Sequence, residues 1–199
     1  MKRTRMAGLA AALVLAAGTA AAGAQVGDWK LDPNHSEADF AIKHMAVSTV
    51  HGSFRGVSGV VHLDSSDLKK SSVDASIDVG TVDTGIAARD NHLKSPDFFD
   101  VAKFPTLTFK STSVTKSGSG YEVKGDLTLH GVTKPVVLNM EAPGKEVADQ
   151  RGKLHRGFSA STVINRKEFG LVWGGNLASG EAVLGDEVKI TLDVDAVKQ

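Results

Sequence analysis

Apolar and polar residues alternate along most of the chain with a period of two, the spacing of half-buried β-strands. An opening run places Trp29 and Leu31 on one side and is broken at Pro33 and Asn34. Ala38, Phe40 and Ile42 then alternate with Glu37, Asp39 and Lys43. From Val47 the chain passes through Gly52, Phe54, Gly56 and Gly59 to Val61 and Leu63; glycines inside such a pattern predict bends or bulges where a sheet closes. Val73, Ala75, Ile77 and Val79 follow, and further on Leu107 and Phe109, then Tyr121, Val123, Leu127 and Leu129. Val136, Leu138, Met140 and Ala142 continue the period, as do Phe158, Ala160, Thr162 and Ile164, and the last run, Val188 to Ala196, is the clearest. Tight turns fall at 116–120 and 130–133; residues 143–153 read as a solvent loop and 165–175 as irregular. These are about eight or nine strands without a βαβ rhythm, which predicts an all-β antiparallel fold. Their length and meander order favour a barrel over a sandwich.

A barrel of about eight strands encloses room for packed side chains or one small ligand. The small residues Ala38, Ala75, Ala142 and Ala160 on the inward face are compatible with a cavity and equally with the taper of a filled barrel. One stretch breaks the alternation. From Arg89 to Phe109 the chain carries charge, an aromatic pair and two prolines, and it reads as a short helical insertion between strands. Ser95-Pro96-Asp97 predicts the helix start, with proline in the first turn. Phe98 and Phe99 then supply apolar area to the barrel mouth or rim. Arg89, Asp90, His92, Asp97 and Asp100 form the densest polar set in the chain. Either they cap the helix and bond strand ends, the commoner duty, or they form the polar rim of a pocket.

Residues 1–24 differ from everything after them. Lys2, Arg3 and Arg5 precede an Ala- and Leu-rich run, and Ala22-Gly23-Ala24 offers a small-x-small cleavage site, the pattern of a secretory signal peptide. The expected mature domain is therefore 25–199, with no membrane span once the leader is cleaved and an exported, periplasmic location. The leader takes three of the 23 basic residues against 23 acidic ones, leaving a formal charge of minus three. A mildly acidic domain lacks the basic footprint of a nucleic-acid binder. With no cysteine, disulfides, thiol catalysis and cysteine-ligated metals are excluded. The seven histidines show no helical i, i+4 metal pair, and there is neither a nucleophile elbow nor a phosphate-cradling glycine loop. No metal, cofactor or catalytic residue is expected.

Four blocks in order resemble the YceI-like proteins, described as polyisoprenoid- or lipid-binding periplasmic proteins. They are Trp29-Lys-Leu-Asp32 with His35-Ser36 and Phe40 to His44; Arg89-Asp-Asn-His-Leu-Lys-Ser95 with Asp97-Phe-Phe-Asp100; Gly125 to Pro135; and Ile164-Asn-Arg-Lys-Glu-Phe-Gly170 with Trp173 and Gly185-Asp-Glu-Val188. The resemblance spans nearly the whole expected mature chain. It implies a lipocalin-like, eight-stranded antiparallel barrel holding an extended isoprenoid or fatty-acid-like lipid.

The alternation nominates one face as lining: Phe40, Ile42, Ile77, Leu107, Phe109, Leu127, Leu129, Leu138, Met140, Phe158, Ile190 and Leu192, joined by Phe98 and Phe99 from the insertion. A slip of one register would exchange the whole set for its neighbours. Arg89, His92 and Asp97 are the polar rim or structural candidates. Three functions stay open: a non-catalytic carrier of a long-chain isoprenoid or similar amphiphile, an enzyme acting on such a lipid through Arg89, His92 and nearby carboxylates, and a filled barrel serving as a protein-interaction module. Pairing of two copies through a barrel edge or rim is also left open.

Overall fold

The structure, a computed structural model, describes residues 26–199. The predicted leader and its cleavage site lie outside the described residues. Eleven β-segments share one sheet: β1 (Val26–Leu31), β2 (Glu37–His44), β3 (Ser48–Phe54), β4 (Ser58–Asp64), β5 (Ser72–Asp78), β6 (Thr106–Ser117), β7 (Gly120–Leu129), β8 (Val132–Met140), β9 (Val147–Ala148), β10 (Leu154–Asn165) and β11 (Leu184–Lys198). Every pairing among them is antiparallel.

Eight of these make the ring once the bends are seen. β1 and β2 are two halves of one long strand, since both lie along the same edge of β11, β2 opposite Asp193 and earlier residues and β1 opposite Ala196 to Lys198. β3 and β4 are likewise two halves, paired with β2 and β1 respectively. The joints fall at Pro33-Asn34 and at Gly56, whose φ of 72° a glycine adopts without strain. The remaining strands follow in chain order, each beside the last, and β10 pairs with β11 over eleven positions to close the barrel. This is an up-and-down, eight-stranded antiparallel barrel with one short helix.

The register explains the sequence pattern. Trp29, Leu31, Ala38, Phe54, Val61, Leu63, Ile77, Phe158, Val194 and Ala196 share the interior at one end. Phe109, Val123, Leu127, Leu129, Ile164, Phe169 and Leu171 form a second buried cluster. Beneath the barrel Trp29 is fully buried, with Phe158 edge-on at 6.3 Å and the Arg156 guanidinium 4.9 Å from its ring centre. Glu146 pairs with Arg156 at 3.3 Å and Lys198 at 3.5 Å, so this floor is held by charges as well as apolar contact.

Three expectations are corrected. The helix, α1 (Ala87–Lys94), precedes Ser95 instead of starting there. Ser95 has φ −74° and ψ 169°, the extended conformation that a residue before proline favours, so it ends the helix. Its hydroxyl donates to the His92 carbonyl at 2.7 Å. Ala142 lies past the end of β8 and is exposed, not inward. The solvent loop at 143–153 contains the two-residue β9, paired with β10.

Candidate ligand cavity

The eight walls do not meet in the middle. They enclose a cavity of about 660 Å³, within the range of roughly 300–1,000 Å³ usual for small-molecule sites. Along β10 its wall runs from Phe158 through Ala160 and Thr162 to Ile164, about 20 Å of strand. The wall is apolar except for Asp39, His44, Arg89, His92, Thr162 and Arg166, and four of these six, His44, Arg89, His92 and Arg166, stand at one end, the mouth.

The structure places all fourteen nominated apolar residues on this wall. Phe40 and Ile42 project from β2, Ile77 from β5, Leu107 and Phe109 from β6, Leu127 and Leu129 from β7, Leu138 and Met140 from β8, Phe158 from β10, and Ile190 and Leu192 from β11. Phe98 and Phe99 reach it from the insertion. Phe99 stands edge-on to Phe54 at 5.5 Å, and Phe54 lies 5.5 Å from Phe40, so aromatic rings join the insertion to the barrel wall. The nominated set left out further wall residues on the same faces, among them Leu31, Val61, Val73 and Val188, which the same alternation would have supplied.

The insertion sits where the sheet is incomplete. β5 ends at Asp78, so the edge of β3 away from β2 has no strand beside it, and a single bridge from Ser53 to Asp83 ties the insertion to that edge. One glycine allows close approach there. A Cβ on Gly52 would meet the Phe40 ring at 2.5 Å and Thr84 Cγ2 at 2.7 Å. From this anchor α1 crosses the mouth to the loop at 170–183. The His92 ring stands edge-on to Phe98 at 5.0 Å and to Trp173 at 5.2 Å, and Phe98 and Trp173 lie 4.9 Å apart.

The polar candidates are occupied by the fold. Arg89 Nε donates to Thr84 Oγ1 at 2.7 Å and Nη2 to the Thr84 carbonyl at 2.8 Å. Asp90 accepts from the Thr84 backbone N–H at 2.9 Å and from its hydroxyl. Helix α1 has no side-chain cap at its first residue, and this pair fastens its first turns to the preceding loop. His92 Nε2 faces Asp97 Oδ2 at 3.0 Å; Asp97 is exposed and off the cavity wall. Asp100, buried, takes a left-handed φ of 46° and pairs with Lys103 at 2.9 Å.

Arg166 is the residue whose role the sequence reading did not find. It is 3 % exposed, and its guanidinium donates to the carbonyls of Gly185 at 2.8 Å, Trp173 at 2.7 Å, Leu184 at 3.2 Å and Leu171. Burial lowers its pKa, opposed by Asp186 at 3.7 Å. The planar fork thus gathers both ends of the loop at 171–185 around one buried cation.

Comparison with known proteins agrees with this architecture. A protein of Escherichia coli named YceI is 35 % identical over 201 residues, covering all of both chains. A Campylobacter jejuni YCEI protein of known structure superposes with a TM-score of 0.64 at 27 % identity, covering 96 % of this chain and 99 % of that one. A polyisoprenoid binding domain from Saccharophagus degradans superposes with a TM-score of 0.61 at 18 % identity, covering 88 % of this chain and all of that one, a likeness of fold. The family model for the YceI-like domain matches residues 29–196, from the tryptophan of the floor into the last residues of the closing strand, and the chain belongs to that family.

Proposed function

We propose that the protein is an exported, periplasmic binding protein that holds the long apolar chain of a polyisoprenoid or similar amphiphile in the barrel, without chemistry of its own. The observation that carries this reading is the distribution of polarity: a largely apolar cavity of about 660 Å³ with four of its six polar side chains gathered at the mouth. Such a site suits a ligand with one long apolar part and one polar end. Each methylene taken from water contributes about 0.8 kcal/mol, so affinity comes from chain length. The related domain named for polyisoprenoid binding supports the same ligand class. The leader pattern at 1–24 supports export. Arg89 and His92 are committed to Thr84 and Asp97, which favours positioning of the insertion over catalysis.

The test is a polyprenol series of increasing length titrated against a Trp29→Phe variant, which leaves Trp173 on the cavity wall as the reporter, the chain having two tryptophans. Affinity should climb with each isoprene unit and level off once the cavity is full. Ala160→Phe, which extends a ring into the space, should displace at least two methylenes and weaken binding about tenfold, while thermal stability is kept. Affinity independent of length would contradict the proposal. So would destabilisation of the Phe variant, because a filled barrel would be overpacked by it.

A further inference from the structure

Three segments surround the mouth, and each presents apolar side chains to solvent. The β2–β3 turn carries Met45 and Val47, the latter 82 % exposed; the insertion carries Ile86; the loop after β10 carries Val172, 66 % exposed, and Trp173. They account for half of the exposed large apolar side chains among the described residues, and the others stand one to a strand. The segments are tied together: the Met45 N–H donates to the Val183 carbonyl at 2.9 Å, and Trp173 meets His92 of α1. Met45, Val47 and Val172 are not part of the cavity wall, so ligand packing does not account for them.

The turn adds an independent observation. Met45 and Ala46 have φ of 52° and 56°, and the Val47 N–H donates to the His44 carbonyl at 3.1 Å. Two consecutive left-handed residues make a turn whose favoured sequence is Asn-Gly. A side chain with a Cβ is strained there, and the methionine at the tip still leaves 37 % of its surface to solvent. The chain therefore forgoes stability at the place where it displays an apolar tip.

We propose that this rim docks on the surface of a lipid bilayer, the three tips entering the boundary between headgroups and acyl chains so that the cavity mouth opens onto the membrane. The proposal rests on the lipid-carrier reading of the cavity, because the rim is continuous with the cavity wall and the cargo's reservoir is the bilayer. Discrete convex tips around an opening suit a fluid surface better than a shaped protein groove. Trp173, amphipathic and half-exposed, is the side-chain type enriched at membrane interfaces. The flanking charges are of both signs and partly paired, as in Lys167 on Asp186 at 2.9 Å. Docking therefore depends on apolar burial and not on anionic lipid.

Flotation of the purified protein with neutral phosphatidylcholine vesicles reads the docking directly. The wild type should float, equally at low and high salt. The Val47→Asp/Val172→Asp double variant should float at least tenfold less while binding detergent-presented polyprenol normally. Met45→Asn/Ala46→Gly should raise the melting temperature and lower flotation together, which a purely structural turn would not do. Wild type that stays in solution, or rim variants that float like wild type, overturn the proposal; the first result would hand the rim to a protein partner. Loss of polyprenol binding with flotation intact would instead overturn the cavity reading alone.

Discussion

Arg166 shows how one residue shapes the mouth. Its neighbours in sequence, Asn165 and Lys167, look like any polar turn, and Asn165 does cap the 3₁₀ turn at Arg166–Phe169 by accepting from the Lys167 N–H at 3.0 Å. What distinguishes Arg166 is that its partners are four backbone carbonyls at 171, 173, 184 and 185. Backbone carbonyls leave no mark in sequence, so nothing around position 166 signals this role. Lysine has the charge but not the fork. Arg166→Lys should therefore cost about 3 kcal/mol in urea unfolding, because buried carbonyls lose charged donors. Amide exchange should rise first at 171–185. An unchanged exchange pattern would show that the loop is held by other contacts.

At the scale of elements, the strands were legible because a period of two leaves only two faces, and the interior face is the apolar one. The twelve nominated strand side chains reached the cavity wall for that reason. The insertion was less legible. Ser-Pro-Asp fits a helix start and equally a helix stop, and the choice depends on whether the preceding residues are free to be helical. Here Asp90 and Arg89 clasp Thr84 and set the helix one turn and more ahead of the proline. Small bent strands such as β3 were read as one bulged strand with β4, which is their barrel role.

Strand pairing also places like charges together. Glu37 on β2 lies opposite Asp193 on β11, two residues from Asp39. The Asp39 carboxyl is raised above its usual pKa, first by partial burial, then by Glu37 and Asp193, with His51 opposing. A carboxyl raised in the folded state is charged at a cost, and stability falls as pH rises from the unfolded pKa through the folded one. Asp39→Asn should therefore raise the melting temperature at pH 7, and the gain should vanish below about pH 4, where the wild-type group is protonated in both states. A gain that persists at low pH would point to packing instead of charge.

The whole molecule is asymmetric along the barrel axis. One end is sealed by Trp29 under Arg156 and Lys198, with Glu146 between the cations. The other is spanned by α1 and the loop at 170–183, joined through His92, Phe98 and Trp173. Between them lies apolar space that eight strands, with alanines at 38, 75 and 160, leave unfilled. That emptiness was the one feature the alternating pattern could not decide, since small inward residues serve a cavity and a tapered core alike. The measurement that decides most directly is native mass spectrometry of the protein released gently from a lipid-containing host. The account predicts an adduct with the mass of one long apolar amphiphile on the wild type, lost from Ala160→Phe. A bare chain mass for the wild type, with no uptake of added polyprenol, would contradict it.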